Sequence, residues 1–385
     1  MQEGVITHGG MVPFGLSHGV NFKDALDVQD AFLKRKDIGR PLLGCTIGAF
    51  AHHHLPEAMK ALPDGILRPD DISIEAFLSD CERLYEEHQK LGDDFPFVAA
   101  PCTFIPWMEA ILGCPIKASG NSIWADHFVE NTSAWKIPHN VEDSPWTQKL
   151  LELTEILVKK SAGRFPVALT LMRGPADIMS AMRGGNVFPM DMMDEPDRMC
   201  DIAASCGEAF IKIAKLQHER IPDEGWGYMD GDKGMKVWMP YKYVWIQEDA
   251  MALLSPGIYR ECFFPVDSRI AETFGHTAFH LHATALWAVD DLLNIKNLDV
   301  IELNYEDAFC DVEGVFAAWK KIKAKKPLVI WAQYNKDFDV WLRRVLDELP
   351  GGGVSLQISG ENYQCALEIK EHYCKILKEA RGGIL

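Results

Sequence analysis

Short apolar runs alternate with longer amphipathic segments along most of the chain. Each run is almost continuously apolar over the length of one strand, which is typical of strands buried on both faces. The runs begin at Pro41 (PLLGCTI), Phe95 (FPFVAAP), Pro166 (PVALTLM), Lys242 (KYVWIQ), Ala278 (AFHLHA), Asp299 (DVIELN), Pro327 (PLVIWAQ) and Val354 (VSLQIS). Strands of this kind indicate a parallel sheet that is covered by helices.

The segments between these runs carry apolar residues at three- and four-residue spacings, as amphipathic helices do. Helices are predicted over Ser73–Gly92, Asp197–Glu219, Pro256–Gly275 and Val312–Ala324. No strand is followed by GxGxxG or GxxxxGK[ST], the usual signatures of a nucleotide-binding open sheet. The alternation therefore favours an α/β fold closed into a (β/α)8 TIM barrel over residues 41–385, with residues 1–40 as an N-terminal extension that packs on the barrel.

Residues 119–146 interrupt the alternation. This stretch includes NSIWADHFVENTSAWKIPHN and does not continue the alternation of strand and helix. We expect it to form an inserted, lid-like or interface element over the loop that follows the second strand.

Composition narrows the class of partner. Lys and Arg total 39 against 56 Asp and Glu, and the formal net charge of -17 disfavours binding to nucleic acid or to an anionic membrane. No apolar stretch reaches the roughly 18–20 residues of a membrane span, and MQEGVITHGG lacks the layout of a signal peptide. The 10 cysteines are scattered without a CxxC pair, as is typical of a reducing compartment. The sequence thus predicts a cytoplasmic protein.

The strand FHLHA carries two imidazoles, His280 and His282, two residues apart. Side chains at this spacing on a strand point to the same face, so both rings can approach one ion or one substrate. Neutral imidazole is a common zinc ligand, and histidine also titrates near physiological pH. The pair therefore predicts a metal or acid/base site, and the alternative is a hydrogen-bonded role in the core or at the strand end.

Polar and aromatic residues concentrate at the predicted carboxyl ends of the strands, where the active site of a (β/α)8 barrel lies. The candidate acid/base residues are Glu248, Asp249 and Tyr305. The candidate substrate contacts are His52, Trp107, Arg173, Trp245, Trp331 and Gln333. Indoles near strand ends favour a neutral or aromatic substrate.

Several of these residues also have a plausible structural role. Asp249 is placed to cap a helix, and only one of Glu248 and Asp249 is expected to face inward. A carboxylate such as Glu361 is stabilised at a helix N-terminus. Arg173 either holds a carboxylate or pairs with Asp177, and the Trp residues are equally suited to the core.

Four stretches resemble the uroporphyrinogen decarboxylase superfamily: IPWMEAILGCPI, LTLMRGPADIMSAMRG, QEDAMALLSPGIYRECFFP and FHLHATALWAVDDLLNIKNLDVIEL. The resemblance runs from about Pro41 to Ile384, and its most specific parts are the string D-x-x-x-L-L-S-P-x-x-Y-R-E over Asp249–Glu261 and the His-containing strand. The superfamily has a (β/α)8 barrel and contains both a cofactor-free decarboxylase and zinc-dependent corrinoid methyltransferases. The resemblance therefore implies the same barrel and two types of reaction.

The sequence departs from both branches. True uroporphyrinogen decarboxylases carry an Arg-rich loop after the first strand, whereas GAFAHHHLPEA contains no Arg, which argues against a polyanionic tetrapyrrole substrate. The methyltransferase branch has His-x-Cys on the fifth strand and a second Cys after the last strand, whereas this chain has His280-x-His282, with Glu361 after the last strand and Cys365 further on. The resemblance implies zinc held by the two His and a carboxylate, with Glu361, Asp249 or Glu248 as the third ligand.

The leading hypothesis is a zinc-dependent, O-demethylase-like methyltransferase. It would move a methyl group from a small substrate, for example a methoxylated aromatic, to a corrinoid (cobalamin) carried by a partner protein. A homodimer is expected by analogy with the superfamily. The second hypothesis is a metal-free decarboxylase or lyase acting on a non-porphyrin carboxylic acid, in which a His or Asp protonates a carbanion-like intermediate. The third is a binding protein that kept the barrel without the chemistry.

Overall fold

The computed structural model describes residues 22–230, 236–306 and 311–380. The strands in these ranges are β1 Leu42–Ile47, β2 Gly65–Leu67, β3 Ile116–Ser119, β4 Ser122–Ala125, β5 Tyr228–Asp230, β6 Val237–Met239, β7 Val244–Gln247, β8 Thr277–Leu281, β9 Leu298–Leu303, β10 Leu328–Gln333 and β11 Val354–Gly360. Six of them form a parallel sheet in the order β1-β11-β10-β9-β8-β7. The α/β barrel predicted from the sequence is thereby confirmed.

The helices that surround this sheet include all four that the sequence predicts. The helices of the described ranges are α1 Phe22–Leu33, α2 Ala51–His54, α3 Pro56–Lys60, α4 Ile74–Leu91, α5 Trp107–Ile111, α6 Pro145–Ser161, α7 Pro175–Arg183, α8 Phe188–Asp194, α9 Pro196–His218, α10 Pro256–Ile258, α11 Phe264–Phe274, α12 Val289–Asn294, α13 Val312–Lys325, α14 Phe338–Glu348 and α15 Tyr363–Ala380. A π-helical turn, Tyr259–Phe263, separates α10 from α11. Pro265 follows this turn and lacks the N–H that a regular α-helix would direct to the carbonyl of Glu261.

Two positions in the barrel wall are irregular. The predicted strands FPFVAAP and PVALTLM run between β1 and β7, but they form isolated bridges rather than continuous ladders, so the prediction of regular strands there is wrong. The bridges join Ala99 to Val167 and Arg173 to Gln247. Prolines at positions 96, 101 and 166 supply no N–H to a ladder, which accounts for the interrupted pairing.

Two adjacent carboxylates hold β1 against this irregular part of the wall. The backbone N–H of Cys45 donates to Asp93 at 2.7 Å, and that of Leu43 donates to Asp94 at 2.8 Å. Arg40 donates to both oxygens of Asp94, at 2.5 and 2.7 Å, and both side chains are buried. Side chains therefore satisfy N–H groups of β1 that a neighbouring strand would otherwise satisfy.

Inward-facing side chains of the strands form two layers, because alternate residues of a strand point to the same face. The lower layer contains Trp245, Ala278, Val300 and Val329, which cluster with Val28 and Phe32 of α1. The upper layer, two residues further along each strand, contains Gln247, His280, Glu302 and Trp331. The barrel thus has an apolar floor closed by α1 and a polar upper layer at the carboxyl ends of its strands.

Two further features bear on the sequence predictions. Cys200 of α9 and Cys262 of the π-helical turn are joined as a disulfide, which the cysteine pattern did not predict. No other disulfide joins cysteines of the described ranges. Within the described ranges, no helix has both the length and the apolar character required to cross a bilayer.

Candidate metal centre

Three side chains converge at the carboxyl ends of β7 and β8. Gln247 of β7 lies beside His280 of β8 in the sheet register, so the residues that follow, Asp249 and His282, emerge at the same edge. Oδ1 of Asp249 lies 3.5 Å from Nε2 of His280 and 3.3 Å from Nε2 of His282. Among the described residues, these three form a group whose ligand atoms all lie within 4.8 Å of one another.

Residues of β9 and the loop after it orient both imidazoles. Nδ1 of His280 is hydrogen-bonded to the buried carboxylate of Glu302. Nδ1 of His282 lies 2.7 Å from the side-chain amide nitrogen of Asn304 and 3.1 Å from a carboxylate oxygen of Glu306. Because the Nδ1 atoms are engaged in this way, both Nε2 atoms face Asp249. Hydrogen bonding of the second ring nitrogen is the usual way in which proteins orient a metal-binding His.

One carboxylate oxygen of Asp249 accepts a hydrogen bond, and the other accepts none. Gln247 donates to Oδ2 at 2.6 Å, whereas Oδ1 is buried and has no hydrogen-bond partner. Zinc bonds of about 2.0–2.1 Å in a tetrahedral site place ligand atoms about 3.3–3.4 Å apart. The separations between Oδ1 and the two Nε2 atoms agree with that spacing. Two imidazoles and one carboxylate are also a common ligand set for catalytic zinc, so the residues present fit a divalent cation.

The charges of the three groups depend on one another. Burial alone would lower the pKa of His280, but Glu302 and Asp249 raise it to about 9. Burial opposes protonation of His282 as well, yet the adjacent carboxylate of Asp249 raises its pKa. Burial would raise the pKa of Asp249, but His282 and His280 hold it well below its usual range. Without a cation, the protonated imidazole of His280 therefore offsets the charge of Asp249.

Zinc binding is expected to strengthen as the pH rises. Nε2 of His280 must lose its proton to bind a metal ion, so protons and zinc compete for the same atom. The apparent affinity should increase about tenfold per pH unit for each proton released, and this increase should level off above the pKa of His280, which is about 9. Competition titrations with a zinc-sensitive chelator across this range test the prediction, and a flat profile would contradict it.

The loop after β7 is locked to residues 173–177. Three hydrogen bonds of 2.7 Å join them: Gly174 N to the carbonyl of Gln247, Ala176 N to Oε2 of Glu248, and Ala250 N to Oδ1 of Asp177. A Cβ atom at Gly174 would collide with the carboxylate of Glu248, so glycine allows this close approach. Together these contacts fix the backbone on both sides of Asp249.

A cavity of about 670 Å³ opens beside the three converging side chains. Its lining includes Asp249, Arg173 and Asp177, and also Trp124, Asp126 and His127 of the inserted segment. The predicted insertion therefore forms one wall of the cavity. β3 and β4 pair as an antiparallel hairpin that carries Trp124, and β2 joins its outer edge. The volume is in the usual range for small-molecule sites.

Comparisons with known proteins identify the fold. No protein-family model matches the chain, and no curated protein matches it. A methyltransferase from Methanosarcina mazei superposes with a TM-score of 0.62 at 14% sequence identity, covering 95% of this chain and 100% of that one. The chain has the fold of this methyltransferase. Two further structures are too distant to carry an argument. A predicted vitamin-B12-independent methionine synthase from Listeria monocytogenes has a TM-score of 0.46 at 11% identity, covering 89% of this chain and 96% of that one. A mannanase from Bacillus subtilis has a TM-score of 0.40 at 9% identity, covering 94% of this chain and 93% of that one.

Two of the six predicted substrate contacts lie in or next to this region. Arg173 lines the cavity. Trp331 belongs to the upper layer of the barrel, where its ring lies 6.3 Å from that of His280 and its Nε1 donates to Ser359 at 2.8 Å. Gln333 is exposed at the end of β10, and His52 stacks on Phe50 in α2; neither residue lines the cavity.

Three aromatic residues predicted at the site lie elsewhere, and these predictions need correction. Trp107 is buried in the core around the barrel, where it packs against Trp146 and donates to the carbonyl of Cys102 at 3.1 Å. Trp245 belongs to the apolar lower layer. The ring of Tyr305 lies against Trp319 and Trp341 of the surrounding helices. For Tyr305 the cause is strand register, because neighbouring residues of a strand point to opposite faces. Trp245 faces inward but lies one layer below the imidazoles.

The two other predicted carboxylates also differ from Asp249 in position. Glu248 is buried and does not line the cavity. Its burial, together with nearby Asp267 and Asp177, raises its pKa well above the usual range. It thus acts as an anchor for residues 174–176. Glu361 is exposed after β11 and is not a member of the converging group. Asp249 therefore replaces Glu361 as the third candidate ligand.

Glu302 and Asn304 were not predicted as site residues, although the sequence carries a signal for one of them. Glu302 is fully buried between Ile301 and Leu303 in β9. A carboxylate inside such an apolar strand must have a partner, because an unpaired buried charge is costly. Its register opposite His280 then identifies that partner.

Proposed function

We propose that this protein is a zinc-dependent methyltransferase of the O-demethylase type, with His280, His282 and Asp249 as the metal ligands. The observation that carries the proposal is the convergence of two Nε2 atoms on the unpartnered Oδ1 of Asp249 beside an open cavity. The sequence resemblance to the uroporphyrinogen decarboxylase superfamily supports it, and a fold shared with a methyltransferase is consistent with it.

When bound, the metal would supply a Lewis acid for the oxygen that carries the methyl group of the substrate. Three protein ligands are usual at a catalytic zinc and leave room for that oxygen. Glu302 and Glu306 keep the two imidazoles oriented through their Nδ1 atoms. In the transfer, the carbon–oxygen bond of the methyl donor breaks and the methyl group passes to a corrinoid held by a partner protein.

Asp177 is placed to supply a proton to the oxygen that loses its methyl group. It lines the cavity, and its Oδ2 is buried without a hydrogen-bond partner. Burial and the neighbouring charge of Asp249 raise the pKa of Asp177 to about 8, which favours its protonated form. Oδ1 accepts from the backbone of Ala250, which leaves Oδ2 as the donor atom.

The proposal predicts methyl transfer that depends on zinc. The zinc-loaded protein, a corrinoid protein reduced to Co(I) and a set of methoxylated aromatics should give the absorbance change of cobalt methylation. A chelator should abolish this change, and added zinc should restore it. The corrinoid partner, the homodimer and the cytoplasmic location belong to the same proposal. A wild-type protein that binds no zinc would overturn it and direct attention to the metal-free decarboxylase.

A further inference from the structure

Arg173 is held in the cavity by a buried carboxylate on one side. Its Nη1 donates to Oε1 of Glu109 at 2.9 Å, and Glu109 is fully buried. The side chain of Arg173 is 43% exposed, and within the described part of the chain only Glu109 receives a hydrogen bond from it. A guanidinium carries five N–H groups in a planar fork. Glu109 therefore fixes one edge of the fork, and further donors are available to a ligand.

Among the charged residues that line the cavity, Arg173 is the cation available to bind an anionic ligand. Asp126 is paired with Lys117 at 2.5 Å. Asp249 is committed to the two His residues. Oδ1 of Asp177 accepts from the backbone N–H of Ala250. Asp177 lines the same cavity, and its Oδ2 is buried without a hydrogen-bond partner.

The remaining wall of the cavity suits a flat molecule. Trp124 and His127 line it from the inserted segment, and Leu253 lines it from the 3-10 turn after β7. Aromatic rings and a few well-placed polar groups are typical of small-molecule sites. A ligand that reaches both the metal ligands and Arg173 needs an oxygen at one end and an anionic group at the other.

We propose that Arg173 binds the carboxylate of the methyl donor, so that the substrate class is a small, planar, methylated carboxylic acid of the methoxybenzoate type. Guanidinium and carboxylate match in geometry, and their charge-assisted hydrogen bonds are about twice as strong as neutral ones. The inference rests on the proposed methyl transfer only in naming the acid as a methyl donor. The carboxylate site itself is tested by binding.

The test is calorimetric titration of the full-length, zinc-loaded protein with para-methoxybenzoate and with neutral para-methoxybenzyl alcohol. The wild type should bind the acid at least about tenfold more tightly than the alcohol. Arg173→Met should weaken binding of the acid by about 10- to 100-fold and leave that of the alcohol within about threefold. The matched control is Arg260→Met, which removes an exposed Arg paired with Asp291 and should change neither affinity.

Zinc content and the thermal unfolding midpoint of each variant report on folding. If Arg173→Met fails to fold, the two ligands on the wild type still decide the question, because equal affinities would overturn the inference. A methyl-transfer assay distinguishes failure of this inference from failure of the proposed function. Transfer from neutral ethers without preference for the acid would refute the carboxylate site and leave the methyltransferase standing. Selective, Arg173-dependent binding of the acid without any transfer would support the site and refute the methyltransferase.

Discussion

Asp249→Ala is expected to reduce zinc affinity by at least about a hundredfold, and His280→Ala should do the same. Structural zinc sites bind with apparent free energies of about 10–16 kcal/mol, so the loss of one of three protein ligands removes a large share. Removal of Asp249 also deprives both Nε2 atoms of the carboxylate that they face. The measurement is elemental mass spectrometry of protein purified without a His tag, followed by competition titration. About one zinc per chain is expected for the wild type only.

Two further variants make this prediction specific. Glu302→Gln keeps a side chain of the same shape beside Nδ1 of His280 but removes the charge, and should weaken zinc binding by about 10- to 100-fold. Glu361→Gln is the control, because this exposed residue lies outside the converging group and should leave zinc binding unchanged. If Glu361→Gln lost zinc while Asp249→Ala kept it, the ligand assignment would be wrong.

Asp94→Ala is expected to lower the free energy of unfolding by about 3–5 kcal/mol, because it leaves the guanidinium of Arg40 buried without its partner. Asp94 also accepts from the backbone of Leu43, and its own carbonyl accepts from Gln29 of α1. The substitution therefore weakens the attachment of β1, whereas the bond from Gln29 to the backbone carbonyl is kept. Urea denaturation followed by circular dichroism measures the loss.

The control for this stability prediction is Asp70→Ala. The side chain of Asp70 is 98% exposed and lies 3.9 Å from Lys149, so its removal should change the free energy of unfolding by no more than about 0.5 kcal/mol. Equal losses in the two variants would show that the buried pair has no special role. Because Asp94 is remote in the barrel from the proposed ligands, zinc content per folded chain should be unchanged in Asp94→Ala.

The regular alternation of strands and helices was sufficient to predict the barrel, since each buried strand carries its own apolar signal. The pair His280 and His282 was likewise predictable, because its spacing places both rings on one face. For the third ligand the sequence left Glu361, Asp249 and Glu248 open, because the direction of Asp249 depends on the 3-10 turn that follows β7 and on the bonds of this turn to residues 173–177. Such contacts join segments far apart in the chain and leave no periodic pattern.

Aromatic residues were the least predictable part of the site. The sequence places Trp107, Trp245, Tyr305 and Trp331 alike at or near predicted strand ends. Of these four, Trp331 alone lies near the imidazoles. The difference is one of register and depth within each strand, which hydrophobicity does not encode. The inserted segment was predictable as a separate element, because residues 119–146 do not continue the alternation of strand and helix. It contributes Trp124 and His127 to the cavity.

The two walls of the cavity are anchored differently, and this difference bears on how the protein could acquire new substrates. Residues 173–177 are hydrogen-bonded to the loop that carries Asp249, so a change there disturbs the metal ligand as well. The wall formed by residues 124–127 lacks these bonds to the ligand loop among the hydrogen bonds of the described chain. A library randomised on both walls should therefore yield active variants with altered selectivity mainly from the inserted segment. Adaptation to a new substrate can proceed on that wall while the surroundings of Asp249 are kept.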